Sequence, residues 1–320
     1  MKYFFLLVLV FAIPTAVFLY TKNITNNIVV EAPEIPASLI LSTTSVVENR
    51  FPDLAVEKQT TSTQPRSSLS TQYPEEGDTV LLSIFDKNLV PQKASFMNNV
   101  VSFFPYKNSV SSFIPIPIGS AGNHELKMVF TSGEEMTRVI YVKKKTFPVY
   151  NVGIPKKLGI TAPELIKQLA DEKKQLDVIL NIRTDNVFFT RPFIAPVKDT
   201  RVTGTFGEIR KTGANEIRHL GVDFAPPDGS VVFASNDGVI KKAGSDPIYG
   251  NMVIIDHGEG IFSMYLHMKS VSIKEGDTIT QGQIIGIVGD TGYSTGEHLH
   301  LSIKINGISV DPLKFIETLK

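Results

Sequence analysis

Apolar positions change their period from segment to segment, and each change predicts an element. Tyr3 to Tyr20 is almost wholly apolar, with Lys2 before it and Lys22 after it. About 18 residues at a rise of about 1.5 Å span about 27 Å, close to a bilayer core, so residues 1–22 read as a membrane anchor or a signal peptide. The anchor is favoured because the apolar run continues past Pro14-Thr-Ala16, a weak cleavage candidate. Residues 23–74 turn to Ser, Thr, Pro and Gln, clearest in Thr60-Thr-Ser-Thr-Gln-Pro-Arg-Ser-Ser-Leu-Ser-Thr. Such a segment has too little apolar surface to offset its ordering entropy, and reads as a flexible linker with a reach of roughly 40 Å.

Between Gly77 and Val142 short apolar runs alternate with Gly-, Asn- and Pro-bearing links. Val80–Phe85, Val100–Phe104, Ser112–Ile114, Glu125–Phe130 and Arg138–Val142 are the expected strands. Leu126, Met128 and Phe130 alternate with Glu125, Lys127 and Val129, as one half-buried face does. Strands at this spacing predict a small immunoglobulin-like β-sandwich over residues 75–145, with no catalytic constellation of its own, a spacer or an inhibitory cover. Residues 146–192 form a helical connector. Thr161-Ala-Pro-Glu164 is a capping box with proline in the first turn, and Leu165, Ile166, Leu169, Leu176, Ile179 and Leu180 make one apolar stripe. This amphipathic helix is expected to pack on a neighbouring domain or to gate a cleft. Arg191-Pro-Phe-Ile-Ala-Pro196 then leads, as extended chain, into a last domain over residues 193–320. There Val231–Ala234, Gly238–Lys241, Met252–Asp256, Ile261–Leu266, Ile284–Val288 and Leu299–Ile303 predict an antiparallel all-β fold with tight glycine turns.

Composition narrows the functions open to this layout. Its 320 residues allow two domains plus accessories. Lysine plus arginine and aspartate plus glutamate stand at 32 each, a net charge of zero, which implies no polyanion partner and so no nucleic acid. Zero cysteines exclude disulfides, thiolate zinc, a nucleophilic cysteine and a lipidated-cysteine anchor.

Only six histidines occur, and four of the five in the last domain fall in motifs, as His219, Tyr265-Leu-His267 and His298-Leu-His300. Residues two apart in a strand share a face, so His298 and His300 can look into one cleft while Leu299 points to the core. Asp223 can reach the same ion as His219 if the chain turns between them, and Gly221 stands midway. Zinc favours imidazole nitrogen and carboxylate oxygen, and a catalytic zinc keeps three protein ligands and one open position. Five candidates for three places leave two histidines for proton chemistry, which points to metal-assisted hydrolysis. His257, in a glycine-bearing turn, and His124 read as structural. No HExxH helix is present.

His219-x-x-x-Asp223, the Tyr265-Leu-His267 step and Gly289-Asp-Thr-Gly-Tyr-Ser-Thr-Gly-Glu-His298-Leu-His300 resemble the lysostaphin-type (LytM-like) zinc metalloendopeptidases, which cut peptidoglycan peptides. The resemblance covers about residues 193–315, including Gly204-Thr-Phe-Gly207, Tyr249-Gly-Asn251 and Val310-Asp-Pro312. It implies a C-terminal β barrel-sandwich hybrid, one Zn2+ per chain held by His219, Asp223 and His300, and His267 and His298 as the catalytic pair beside the open position. Glu297 stands where the family often has proline, and Leu-Ser-Ile follows His300. Glu275 to Gly286 also resembles a hairpin shared with biotinyl and lipoyl carrier domains, but Asp290-Thr-Gly-Tyr293 carries no lysine for a carrier.

The expected function is therefore zinc-dependent endopeptidase hydrolysis of peptidoglycan cross-links or stem peptides by metal-activated water. The alternative is a noncatalytic wall-binding or regulatory module that activates another hydrolase. The expected location is the cell envelope, bound to the cytoplasmic membrane through the N-terminal segment, or secreted if that segment is cleaved. Tyr249, Asn251, Tyr293 and Ser294 are candidate loop contacts.

Overall fold

The computed structural model describes residues 66–212 and 214–320. The expected anchor or signal peptide at 1–22 and most of the expected linker lie outside them. Among the described residues no helix is long and apolar enough to cross a membrane. They are mainly β, as the patterning predicts.

Two four-stranded antiparallel sheets come first. One runs Ser67–Leu69, Thr79–Ile84, Ser109–Pro115, Phe104–Tyr106 in space, and the other Asn99–Val100, Pro91–Phe96, Gly122–Phe130, Glu135–Val142. Leu126, Met128 and Phe130 of the second sheet are buried in one core with Val80, Leu82 and Ile84 of the first, while Glu125 and Lys127 face water. One expected strand is split. Val100–Phe104 is not continuous: a strand ends at Val100, the chain crosses between the sheets, and a new strand opens at Phe104. The apolar run serves two cores, since Val101 fills the sandwich whereas Phe104 joins the core of the last domain. Pro91–Phe96 went unforeseen because it opens Pro-Gln-Lys, and proline is tolerated only where a strand begins or lies at an edge.

Aromatic rings join this sandwich to the last domain. Phe113 packs with tilted rings against Phe104 and Phe315, ring centroids 5.0 Å apart in each case, and Phe189 and Phe193 complete the group. Gly77, at φ 92°, lies so close to Phe206 that a Cβ there would sit 2.5 Å from the ring.

The last domain is built on an eight-stranded antiparallel sheet. Its order is Arg201–Gly204, Val222–Ala225, Leu299–Ile305, Ile261–Met268, Gly250–Asp256, Gly238–Asp246, Thr278–Ile279, with Ile308–Val310 paired to Leu299–Ile305. Alternation sorts the central strand: Leu299, Leu301, Ile303 and Ile305 enter the core, and His300, Ser302 and Lys304 take the opposite face. On that opposite face Leu266 pairs with His300 and Met264 with Ser302.

The helix begins at Ala162 with Thr161 as N-cap, where the capping box places it; Thr161 N donates to Glu164 Oε2 at 2.7 Å. This helix, α1, runs to Leu180. It lays Leu176 and Leu180 on Met252, Ile254, Phe262, Met264 and Leu266. The sheet is therefore covered on both faces here, which explains why Ile261–Met268 is buried at every position and reads as a continuous apolar run. Each fully buried leucine contributes about 1.5–3 kcal/mol. Ahead of α1, strand Val149–Asn151 pairs in parallel with Ile209–Thr212, and Lys157 bonds to Asp290 on the far side.

Candidate metal centre

Three strands or strand ends bring the expected ligands together. His219 follows strand Asn215–Arg218, its N donating to Glu208 O and its O accepting from Gly207 N. Asp223 lies on Val222–Ala225 directly opposite His300 on Leu299–Ile305. Ligand atoms of His219, Asp223 and His300 all fall within 4.8 Å of one another, and all three residues are buried. Asp223 Oδ1 is 3.0 Å from His219 Nε2 and 2.9 Å from His300 Nδ1, and those two nitrogens are 2.9 Å apart.

Hydrogen bonds outside the cluster fix which nitrogen faces inward. His219 Nδ1 donates to Thr205 O at 2.9 Å, leaving Nε2 as the inward lone pair. Ser302 Oγ donates to Leu220 O, so it accepts from His300 Nε2 at 2.8 Å, and His300 turns Nδ1 inward. Burial, foremost, pushes His300 down to about 4, so it is neutral at pH 7. Burial would raise the Asp223 carboxyl, yet the adjoining His219 and His300 rings hold it well below the usual carboxylate range. Two nitrogen lone pairs and a carboxylate oxygen thus converge in a buried place. Such a donor set needs a cation among its members, and two imidazoles with one carboxylate fit Zn2+.

Gly221 has a structural reason other than turning the chain. Its φ is not in the left-handed region, but a Cβ there would collide with His300 Nε2 and Leu301 O. Only glycine leaves room for the His300 ring.

His267 and His298 flank the three. His267 takes φ 65° and donates Nδ1–H to Thr291 O at 2.9 Å, which leaves its Nε2 free of a proton. Burial first, then His298 and His300, pushes it down to about 3. His298 bonds Gly296 O through Nδ1 at 2.8 Å and sets Nε2 3.7 Å from Asp223 Oδ1. The two rings are 5.0 Å apart. A cavity of about 180 Å³ meets His219, His267 and His300 and is walled by Leu169, Leu176 and Leu180 of α1. A second, of about 380 Å³, meets Asp223 and His298. The centre stands between them.

Of the loop contacts, Tyr249 lines the first cavity and Tyr293 both. Asn251 instead bonds Lys269 O and holds its own loop, whereas Ser294 lines the second cavity, its Oγ bonded to Gly296 O and 3.2 Å from His298 Nδ1. His257 is fully buried between Asp237 O and Ser263 Oγ, and His124 bonds Ser120 O in the sandwich; neither approaches the centre. The sequence reading passed over Ser302, which period-two spacing from His300 could have revealed. It also passed over Thr205, Glu208 and Arg210, which no spacing marks.

Residues 217–312 match the model for peptidase family M23. The C-terminal domain of this chain belongs to that family, the lysostaphin-type or LytM-like peptidases. The chain is 42% identical over 121 residues to the DD-carboxypeptidase/endopeptidase Mpg of Neisseria meningitidis serogroup B, covering 38% of this chain and 28% of that protein. It is 41% identical over 96 residues to the peptidoglycan DD-endopeptidase ShyA of Vibrio cholerae serotype O1, covering 30% of this chain and 22% of that one. The chain thus spans less than a third of the length of either. A crystal structure of a peptidase M23 from Pseudomonas aeruginosa shares the fold, with a TM-score of 0.60 at 23% identity over 77% of this chain and 96% of that one.

Proposed function

We propose that this chain is a zinc-dependent endopeptidase that hydrolyses peptide cross-links or stem peptides of peptidoglycan. The observation that carries the reading is the five-residue set: three inward-facing donors with two further histidines beside them. The Mpg and ShyA names support the substrate class, and a wall substrate supports a cell-envelope location, with residues 1–22 as the membrane attachment.

His219 Nε2, Asp223 Oδ1 and His300 Nδ1 would hold the ion. When bound there, zinc supplies a Lewis acid for the scissile carbonyl and lowers the pKa of water to roughly 7. The chain's own part is proton handling and orientation. His267 and His298 each spend Nδ1–H on a backbone carbonyl, so each offers Nε2 to take a proton from the attacking water and return it to the leaving amine. The cavities on either side of the centre would take the two halves of an extended peptide, and α1 walls one of them.

The test separates metal from chemistry. With the full chain and purified peptidoglycan, His298→Ala is expected to retain zinc while the release of new amino termini falls at least about 100-fold. His219→Ala is expected to lose both. Release by His298→Ala at the parent's rate would refute the reading, and zinc bound without cleavage by the parent would favour a regulatory module.

A further inference from the structure

Arg210 is the charged group nearest the centre that the mechanism above leaves without a part. It lies on strand Ile209–Thr212, its side chain is 21% exposed, and it borders both cavities. Its Nη2 donates to Asp223 Oδ2 at 2.5 Å, and its Nε donates to Glu208 Oε1 at 2.9 Å. The carboxylate of Asp223 is thereby divided, with Oδ1 facing the two imidazoles and Oδ2 held by the guanidinium.

The hold on Arg210 is itself anchored. Glu208, buried, accepts from Thr205 N and Thr205 Oγ1 through Oε2, and Thr205 O accepts from His219 Nδ1. His219, Thr205, Glu208, Arg210 and Asp223 form one connected chain that begins at one expected ligand and ends at another. Gly204 makes space for it, since a Cβ there would sit 2.5 Å from Asp223 Oδ2 and 2.6 Å from Arg210 Nη2.

We infer that Arg210 is a positioning residue that makes Asp223 a one-oxygen ligand. A carboxylate with both oxygens free can close on a cation through both and fill the position that hydrolysis needs open. A guanidinium is planar and presents its donors in a fixed fork, so Nε and Nη2 together hold Glu208 Oε1 while Nη2 reaches Oδ2; an ammonium, with rotatable donors on a single nitrogen, can bridge the two carboxylates but does not fix Oδ2 in that plane. The role is geometric rather than a matter of net charge, because Arg210 and Glu208 cancel each other. This inference rests on the metal reading proposed above.

The test compares the full chain, loaded with cobalt(II) or titrated with zinc, as parent, Arg210→Lys and the charge-balanced double variant Glu208→Gln/Arg210→Gln. Folding is checked on the metal-free proteins by circular dichroism. The parent is expected to show the strong visible absorption of a four-coordinate cobalt site. Both variants are expected to show the weaker spectrum of higher coordination, and a zinc Kd roughly 10- to 100-fold higher, the usual effect of losing a ligand's supporting partner. A parent-like spectrum and Kd in both variants would overturn the inference. Arg210→Lys matching the parent while the double variant fails would overturn it too, since charge rather than the fork would then matter. Failure of the parent to bind either metal would overturn the metal reading, and this inference with it.

Discussion

A single missing methyl group decides whether the centre can close. Gly221 leaves the His300 ring its place against Leu301 O, and a Cβ there cannot be accommodated without moving backbone or ligand. Gly221→Ala is therefore expected to destabilise the chain by about 1–3 kcal/mol, the range for overpacking, and to lower zinc occupancy with it. Urea unfolding and metal analysis on the same sample check both; unchanged occupancy would show that His300 has other room. The sequence pointed to Gly221 for its place between His219 and Asp223 and expected a turn there. Its real use is a close approach from a strand 80 positions away in the chain, which local spacing does not display.

Among the elements, α1 joins the fold to the site. Leu176 and Leu180 cover the sheet face that also carries Leu266 beside His300, and Leu169, Leu176 and Leu180 wall the first cavity. Leu176→Ala is expected to cost about 2–5 kcal/mol, as truncation of a buried leucine does. It would also leave part of that sheet face uncovered, which binding of a hydrophobic dye by the folded variant would report; a loss below about 1 kcal/mol would mean the helix is not packed as described. The helix start was legible at Thr161 because capping chemistry is local, and so were Glu125–Phe130 and Leu299–Ile303 because their alternation is local. Where α1 docks was not legible, since its stripe states only that it packs. Val100–Phe104 misled for the related reason that one apolar run can feed two cores.

For the molecule as a whole, the aromatic junction of Phe104, Phe113, Phe189, Phe193 and Phe315 ties the sandwich to the last domain, and buried histidines set its response to acid. His257 is fully buried, and burial above all pushes it from 6.5 down to about 4. The unfolded chain therefore binds this proton first. Stability rises with pH wherever the unfolded state holds more protons, so this contribution is complete above about pH 6.5 and is lost as pH falls toward about 4. The Tm of the metal-free chain is expected to fall across that window, less steeply in His257→Gln; equal slopes would show that His257 titrates normally. The ligand set was legible as types and spacing, because few histidines occur and four of them cluster. The network that orients those ligands was not, because Arg210 reaches Asp223 from a strand of a separate three-stranded sheet, and Thr205 and Glu208 join it only through their side chains and loop.

The most direct measurement is a zinc titration of the metal-free full chain over purified peptidoglycan, following new amino termini. Release is expected to climb with added zinc and level off at about one zinc per chain, the occupancy of a single three-ligand catalytic site, with no release at any zinc level from His219→Ala. Release without metal, or release by His219→Ala equal to the parent's, would contradict zinc-dependent hydrolysis.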